Sequence, residues 1–426
     1  MARVLLATFG SLGDLHPYIA VGRALTAQGI NARIATCSDY RSQVEAAGLE
    51  FAPVAPSLAA LGTPQELARR VADPLRGSAV LVKGLIMPHL RESHQQLRVA
   101  ARDCELLIGH PLTYMLQVVA AEQGKPWLSS ILAPASFLSR EDPPAMAPIN
   151  SLQIARRLGP WIYRPLLRFV RLAVRRWERP LHDYRRELGL PVSTKVMIFE
   201  GQFSALGTLA LFDAPLMRPQ PDWPPNTRLC GTPLFDGAAP DARDLKRLQD
   251  FLAAGAPPLV FALGSSAVWL GGEFWVQALE AARQLGRRAI LITGSGSLPN
   301  LPDWACEFGY LPYSQVFPHA CVIVHQAGIG TLSQALRAGR PQLITPVWFD
   351  QPDNAARAVR LGVARTLPFR RVTAARLAQQ LRPLLNTPAY ATAARDLARQ
   401  VQAVDGAAVA AAYIMQVLSR SVQRLP

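Results

Sequence analysis

Residues 325–354 of this chain read HQAGIGTLSQALRAGRPQLITPVWFDQPDN. An apolar run precedes His325, and a glycine-rich turn, a helix, a second strand and a polar cluster follow it. A glycine-rich turn that opens a helix presents free backbone N–H groups and the positive end of the helix dipole, so it favours an anion such as phosphate. We expect His325 to add a donor beside that anion. Because Asp350, Gln351 and Asn354 suit hydroxyl groups, the stretch predicts a site for a nucleotide sugar.

The composition predicts a packed globular protein with room for two domains. The chain has 426 residues, of which 50% are hydrophobic and 18% are charged, and this excludes widespread disorder. The five cysteines are scattered without a Cys-x-x-Cys pair, so we expect neither a disulfide framework nor a zinc site. No stretch approaches the roughly 20 apolar residues that span a bilayer, and no signal peptide is evident. We therefore expect a cytoplasmic protein.

Short apolar strands alternate with helical segments, stop at a proline-rich stretch, and then resume. The strands expected in the first half are 4–8, 33–36, 105–108, 127–132 and 208–212, with helices at 17–28 and 114–123. Those expected in the second half are 259–263, 289–293, 322–325 and 342–345. This alternation indicates parallel sheets built from βαβ units. We predict an N-terminal domain over 1–214, a linker over 215–240, a C-terminal domain over 241–395 and a helical tail over 396–426.

Each half has a glycine-rich turn directly after a strand, where parallel sheets bind ligands. Two such domains facing each other would form a cleft with one substrate on each wall. The first turn, GSLGDLHP at 10–17, is not the Gly-x-Gly-x-x-Gly fingerprint of nicotinamide enzymes. It carries two proton acceptors, Asp14 and His16. Alternatively, Asp14 caps a helix that begins near Pro17.

Small hydroxyl residues also follow strands in the second half. Ser265, Ser266 and Thr293 lie at strand ends, where they can donate to phosphate or serve as ordinary turn residues. Tyr310, followed by Leu311, offers an aromatic face for a nucleobase or a core side chain. No Asp-x-Asp or other metal-ligand spacing occurs. We therefore expect the helix dipole, backbone donors and His325 to neutralise a diphosphate without metal.

The turn at 10–17 resembles the N-terminal signature of bacterial family-1 glycosyltransferases with the GT-B fold, and residues 325–354 resemble their donor-binding motif. The segments PDWP at 221–224 and GTPLFDG at 231–237 are similar to one branch, the rhamnosyltransferase of rhamnolipid synthesis. The resemblance implies two Rossmann-like α/β domains that face each other across a cleft, with a C-terminal helix packing back on the first domain.

The resemblance also implies roles for particular residues. The family's general base corresponds to Asp14, with His16 as a second candidate, and a supporting residue in a later loop corresponds to His110. The donor-binding positions include the base-binding loop at Tyr310 and Leu311 and the sugar contacts Asp350 and Gln351. The implied diphosphate contacts are His325, Gly328, Gly330 and Thr331. Plant members have Asn-Ser where this chain has Gly-Thr, so backbone donors must replace one side-chain contact.

These features predict an inverting, metal-independent glycosyltransferase that uses a nucleoside-diphosphate sugar as co-substrate and needs no cofactor. The transferred sugar is expected to be rhamnose or glucose. The acceptor is expected to be a hydroxyl of a hydrophobic molecule, such as a hydroxy-fatty-acid lipid, a sterol or a phenolic compound. Two alternatives stay open, namely a sugar-nucleotide epimerase or hydrolase on the same fold and a non-catalytic basic protein that binds membranes.

The formal net charge is +15, and much of it lies between residues 156 and 186. Arg164, Arg168, Arg171 and Arg175 recur at helical spacing and give an amphipathic helix one cationic face. That face is either solvated or docked on an anionic membrane surface, which would place the enzyme peripherally at the inner membrane face. Because no nucleic-acid-reading motif surrounds the arginines, we expect no nucleic-acid partner.

Overall fold

The computed structural model describes residues 2–73, 77–145, 160–191, 193–294 and 298–422, and it leaves undescribed the side chains of 160–164, 166, 167, 169, 421 and 422. The chain divides into two units. The first unit comprises Met1–Phe235 and Asp405–Pro426, and the second comprises Asp236–Val404. The boundary between Phe235 and Asp236 lies inside the stretch predicted as a linker, at 215–240.

Within its described residues, the first unit is built on a parallel sheet of seven strands. These are β1 (Arg3–Ala7), β2 (Asn31–Thr36), β3 (Glu50–Pro53), β4 (Leu106–Gly109), β5 (Trp127–Ile131), β6 (Thr208–Ala210) and β7 (Thr227–Leu229). They lie in the order β3-β2-β1-β4-β5-β6-β7. The direction of winding reverses between β1 and β4, and ligands bind beyond the carboxyl ends of the strands at such a reversal.

The second unit has the same plan with six parallel strands among its described residues. These are β8 (Leu259–Ala262), β9 (Ala289–Ile292), β10 (Ala305–Phe308), β11 (Val322–His325), β12 (Gln342–Ile344) and β13 (Ala364–Thr366). Their order is β10-β9-β8-β11-β12-β13, so the reversal falls between β8 and β11. Both sheets are parallel Rossmann-like sheets, as predicted.

Helices connect the strands, and those of at least six residues are labelled in chain order. In the first unit they are α1 (Leu12–Ala27), α2 (Arg41–Ala46), α3 (Pro64–Val71), α4 (Leu90–Ala100), α5 (Tyr114–Glu122), α6 (Pro160–Trp177), α7 (Arg179–Glu187) and, last in the chain, α14 (Gly406–Val422). In the second unit they are α8 (Ala242–Ala253), α9 (Gly272–Gln284), α10 (Ile329–Arg337), α11 (Gln351–Arg360), α12 (Ala374–Asn386) and α13 (Pro388–Gln402). A π-helical turn covers Val80–Ile86.

The central strands are the sequence's most apolar runs, because helices cover both faces of a parallel sheet. Val4 and Leu5 in β1 and Phe261 in β8 are completely buried.

The sequence did not predict the four strands β3, β7, β10 and β13, and each is an edge strand of its sheet. An edge strand has one neighbour and carries more exposed residues, so its apolar signal is weak. β7 lies within the proline-rich stretch 215–240.

The last helix, α14, packs on α1 of the first unit, which confirms the expected return of the C-terminal helix. Ala410, Ile414 and Val417 are buried in this contact region. Tyr413 donates its hydroxyl to the Asn226 carbonyl at 2.9 Å. The predicted tail over 396–426 therefore falls into two parts, because α13 packs against α10 of the second unit whereas α14 belongs to the first unit.

By length and composition alone, the helical stretch Pro388–Arg420 would be able to cross a membrane, although the sequence had predicted no such stretch.

Candidate functional site

Asp14 lies in the first turn of α1, just beyond the carboxyl end of β1. The helix begins at Leu12, five residues before the predicted start, because Ser11 serves as its N-cap. Asp14 completes a capping box, since its Oδ2 accepts the Ser11 N–H at 2.7 Å and the Ser11 hydroxyl at 3.2 Å. A Cβ at Gly10 would lie 2.2 Å from Asp14 Oδ2, so the carboxylate needs glycine there.

The second carboxylate oxygen of Asp14 faces His110, which follows β4. Asp14 Oδ1 lies 3.5 Å from His110 Nε2, slightly beyond an ordinary hydrogen bond. His110 is nine-tenths buried, and its Nδ1 accepts the Leu112 N–H at 3.2 Å. A neutral imidazole that accepts at Nδ1 carries its proton on Nε2, so this proton points at Asp14. The pair lies at the reversal between β1 and β4, where the fold places a ligand site.

His16, the second candidate base, lies elsewhere on α1. Two residues apart on a helix, Asp14 and His16 point in nearly opposite directions. The His16 ring packs edge-on against Phe235 with 5.3 Å between ring centres. The structure therefore brings His110, and not His16, to Asp14.

In the second unit, the glycine-rich turn joins β11 to α10 at the corresponding reversal. Gly328 occupies the N-cap position of α10 without a side-chain cap. A Cβ built on Gly330 meets nothing within 4 Å. Open space therefore borders the first turn of α10, and its N-cap residue supplies no side-chain cap in the part of the chain that the structure describes. This arrangement favours an anion.

His325 does not occupy the position that the sequence predicted for it. Its side chain is fully buried; Nδ1 accepts the Ala327 N–H at 3.1 Å, and Nε2 lies 2.9 Å from Gln342 Oε1. Burial lowers the pKa of His325 to about 4, opposed by the Gln342 hydrogen bond, so the ring is neutral at pH 7. With both ring nitrogens engaged inside the protein, His325 has no N–H to donate to a diphosphate, which corrects the predicted role.

His325 instead holds the backbone of the turn. Ala327 has a φ of 65°, a left-handed conformation that costs energy for a residue other than glycine. Its N–H is bonded to His325, and its carbonyl accepts the Asn354 amide at 2.9 Å. The buried Asn354 amide also donates to Asp350 Oδ2 at 2.6 Å. Asn354 thus ties Asp350, a predicted sugar contact, to the glycine-rich turn.

Gln326, which the sequence analysis did not single out, lies beside the glycine-rich turn. Its side chain is buried, and its Oε1 has no hydrogen-bond partner in the described part of the chain. A Cβ built on Gly264 would lie 2.2 Å from Gln326 Nε2, and one built on Gly328 would lie 3.0 Å away. The Gln326 amide therefore sits between the turn after β8 and the N-terminus of α10. Gly264 has a φ of 67°, and a larger residue there would displace this amide.

Three other residues predicted to bind the sugar donor make contacts within the protein. Thr293 donates its hydroxyl to Glu307 Oε1 at 2.5 Å, which leaves its one proton inside the protein and not on a phosphate. Leu311 belongs to the hydrophobic core, so its side chain does not face a nucleobase. Tyr310 keeps 44% of its surface exposed and donates its hydroxyl to the Asp236 carbonyl.

The remaining donor residues lie around the turn. Ser265 and Ser266 are half-buried in the short helix Gly264–Ala267 that follows β8. Thr331 is buried in the first turn of α10. Gln351 Oε1 accepts the Val347 N–H at 2.9 Å, so only its amide N–H groups are available to a ligand.

Among the described residues, no group of three or more His, Cys, Asp or Glu side chains is arranged to hold a metal ion. The expectation of a metal-independent reaction therefore depends on the hydrogen-bond donors of the turn at 326–331.

Of the predicted arginine face, Arg168 and Arg175 are exposed on α6, and Arg171 forms an ion pair with Glu200. The side chain of Arg164 lies outside the described residues.

Comparisons with known proteins cover nearly the whole chain. Residues 4–88 match the glycosyltransferase family 28 N-terminal domain, and residues 286–412 match the erythromycin biosynthesis protein CIII-like C-terminal domain. The chain is 32% identical over 419 residues to O-mycaminosyltylonolide 6-deoxyallosyltransferase of Streptomyces fradiae, covering 95% of this chain and 94% of that protein. It is 29% identical to the vancomycin aglycone glucosyltransferase of Amycolatopsis orientalis, with 98% of each covered.

The fold is also that of solved glycosyltransferases. The glycosyltransferase VinC, solved in complex with dTDP, superposes with a TM-score of 0.68 at 20% identity, covering 98% of this chain and all of that one. The two Rossmann-like units and their sites therefore define an enzyme, a glycosyltransferase of the GT-B fold. The chain belongs to the family 28 and erythromycin-CIII-like GT-B glycosyltransferases of the macrolide and antibiotic type. The rhamnolipid branch stays a prediction.

Proposed function

We propose that this enzyme transfers a hexosyl group from a nucleoside-diphosphate sugar to a hydroxyl of a hydrophobic acceptor, with inversion at the anomeric carbon and without a metal ion. The second unit binds the donor, and the first unit supplies the general base. The observation that carries the proposal is the uncapped N-terminus of α10, with the Gln326 amide beside it. That arrangement suits a diphosphate leaving group.

In the proposed reaction, Asp14 removes the proton from the acceptor hydroxyl. The acceptor oxygen forms a bond to the anomeric carbon while the bond from that carbon to the diphosphate oxygen breaks on the opposite face. The bonding electrons leave with the nucleoside diphosphate. Asp14 Oδ1 is the oxygen available for the proton, because Oδ2 is held by Ser11. His110 orients the carboxylate through its Nε2 proton.

The developing charge on the leaving group is stabilised by the backbone N–H groups at Gly328–Thr331 and by the Gln326 amide. Asp350 and Gln351 bind the sugar hydroxyls, and the exposed ring of Tyr310 stacks on the base. The similarity to a 6-deoxyallosyltransferase supports a 6-deoxyhexose such as rhamnose, whereas the similarity to a glucosyltransferase supports glucose. The structure of VinC with dTDP supports a thymidine diphosphate donor.

The proposal is tested by offering dTDP-rhamnose and UDP-glucose with a hydroxyalkanoic acid, a sterol or a flavonoid, in the presence of EDTA. Mass spectrometry is expected to show a glycosylated acceptor and an equal amount of nucleoside diphosphate. Release of free sugar at the same rate without acceptor would identify a hydrolase, and an isomerised nucleotide sugar would identify an epimerase. Activity that EDTA abolishes and a divalent cation restores would contradict metal independence.

A further inference from the structure

The first unit contains a cavity of about 1050 Å³. Its walls are α6, the segment 194–205, the residues 222–225 and the turn at 137–140. Asp14, His16 and His110 are not among its lining residues. Its volume is at the upper end of the range of pockets that hold small organic ligands.

One wall of the cavity is aromatic. Phe137 stacks on Trp223 with 4.2 Å between ring centres and an angle of 15°, and on Phe203 with 6.0 Å and 12°. Phe199 also lines the cavity, as does Leu172 of α6, which keeps 59% of its surface exposed. Apolar side chains in a concave site of this kind favour the binding of an apolar molecule.

Cationic side chains also line the cavity. Arg168, Arg175 and Lys195 line the cavity, and none has a carboxylate partner in the described part of the chain. The two acidic residues of the lining are already engaged. Glu200 pairs with Arg171, and Asp222 accepts the Ser139 hydroxyl at 2.8 Å and the Arg140 N–H at 2.6 Å.

The walls are fixed by buried hydrogen bonds, so the cavity is a formed site. Glu178, which is completely buried, accepts the Met197 N–H with both carboxylate oxygens and thereby joins the end of α6 to the segment 194–205. Leu138 has a φ of 48°, a conformation that persists only where the surrounding structure holds it. The bonds from Ser139 and Arg140 to Asp222 supply that restraint.

We propose that this cavity binds a single-chain amphiphilic anion, with its alkyl chain against the aromatic wall and its carboxylate beside Arg168, Arg175 and Lys195. The concave shape suits one chain from solution, whereas a bilayer surface would engage the same arginines through a convex or flat patch. A hydroxyalkanoic acid, one of the acceptors offered above, is also a single-chain amphiphilic anion. The test therefore uses dodecanoate, which has no hydroxyl to receive a sugar, so its outcome does not depend on sugar transfer.

The test measures binding of dodecanoate to the whole protein by titration calorimetry, without nucleotide sugar and below the concentration at which dodecanoate forms micelles. We expect dodecanoate to bind, and acetate and dodecyltrimethylammonium not to bind, because the site needs both the chain and the negative charge. The double variant R168Q/R175Q is expected to weaken binding about tenfold or more, the loss of roughly one charge-assisted contact. Leu172→Glu is expected to weaken it as well, by placing a like charge at the rim.

The matched control is R176Q/R179Q, which removes the same charge from the same region but leaves the lining intact. All of these side chains are exposed, so circular dichroism and melting temperature are expected to stay unchanged. Equal binding of dodecanoate and dodecyltrimethylammonium, or equal effects of the two double variants, would overturn the proposal. So would vesicles of phosphatidylglycerol that bind through Arg168 and Arg175 while dodecanoate does not bind, since that result assigns these arginines to a membrane.

Discussion

Replacement of Asp14 by asparagine separates the capping interaction that the structure shows for this carboxylate from its proposed role as general base. The asparagine side chain keeps an oxygen that can accept the Ser11 N–H, which lies 2.7 Å from Asp14 Oδ2. The capping interaction is therefore largely retained, and the free energy of unfolding is expected to fall by less than about 1 kcal/mol. The amide cannot take the proton of the acceptor hydroxyl, however, so kcat is expected to fall by roughly 10²–10⁴-fold, the usual contribution of a general base.

Ser11→Ala is the matched control, because it damages the same helix start and leaves the carboxylate in place. It removes the hydroxyl that accepts the Gly13 N–H at 3.2 Å, so it is expected to cost about 1 kcal/mol of stability. Its kcat is expected to stay within a small factor of the unmodified enzyme. Initial rates of nucleoside diphosphate release and urea unfolding curves measure the two effects. Near-native turnover by Asp14→Asn, or equal losses of kcat in the two variants, would refute the assignment of Asp14 as base.

The other expectations concern the groups around the two sites. His110→Ala is expected to lower kcat, by less than Asp14→Asn does, and to leave the KM for the donor unchanged. If steady-state assays show an unaltered kcat, His110 has no part in the mechanism. Gln326→Ala is expected to weaken nucleoside diphosphate binding about tenfold in titration calorimetry. Gln334→Ala, within α10, is expected to leave that affinity unchanged, and equal affinities of the two variants would place the diphosphate elsewhere. Burial lowers the pKa of His325 to about 4, so the unfolded chain takes up this proton first as the pH falls. The stability that the neutral ring provides is therefore complete above pH 6.5 and is lost between pH 6.5 and 4, by on the order of 3 kcal/mol. Urea unfolding across that range is expected to show a smaller loss for His325→Asn, and an identical loss would mean that the ring is not buried in its neutral form.

The sequence predicted the central strands of both sheets because their burial on two faces leaves a continuous apolar run. It missed the edge strands β3, β7, β10 and β13, whose partly exposed residues resemble those of loops. The sequence also predicted the position of the glycine-rich turn between β11 and α10. Successive side chains of a strand point to opposite faces, and composition alone does not say which of His325 and Gln326 points inwards. Only the three-dimensional structure shows that the histidine is buried and the glutamine lies at the helix N-terminus.

The Asp14–His110 pair shows a second limit of sequence reasoning. The two residues are far apart in the chain and become neighbours because β1 and β4 are adjacent in the sheet. The alternation of strands and helices predicts parallel strands but not their order. The resemblance to glycosyltransferases suggested the pair, and the strand order explains why it forms. Ser11 and Asp14 have the sequence spacing of a capping box, but the proline at residue 17 suggested a later helix start.

The most direct test of the proposed mechanism is the configuration of the new glycosidic bond. A single displacement with Asp14 as base forms that bond on the face opposite the diphosphate. Proton NMR of the purified product, compared with that of the donor sugar, is therefore expected to show the opposite anomeric configuration. A product that retains the configuration of the donor would contradict this mechanism.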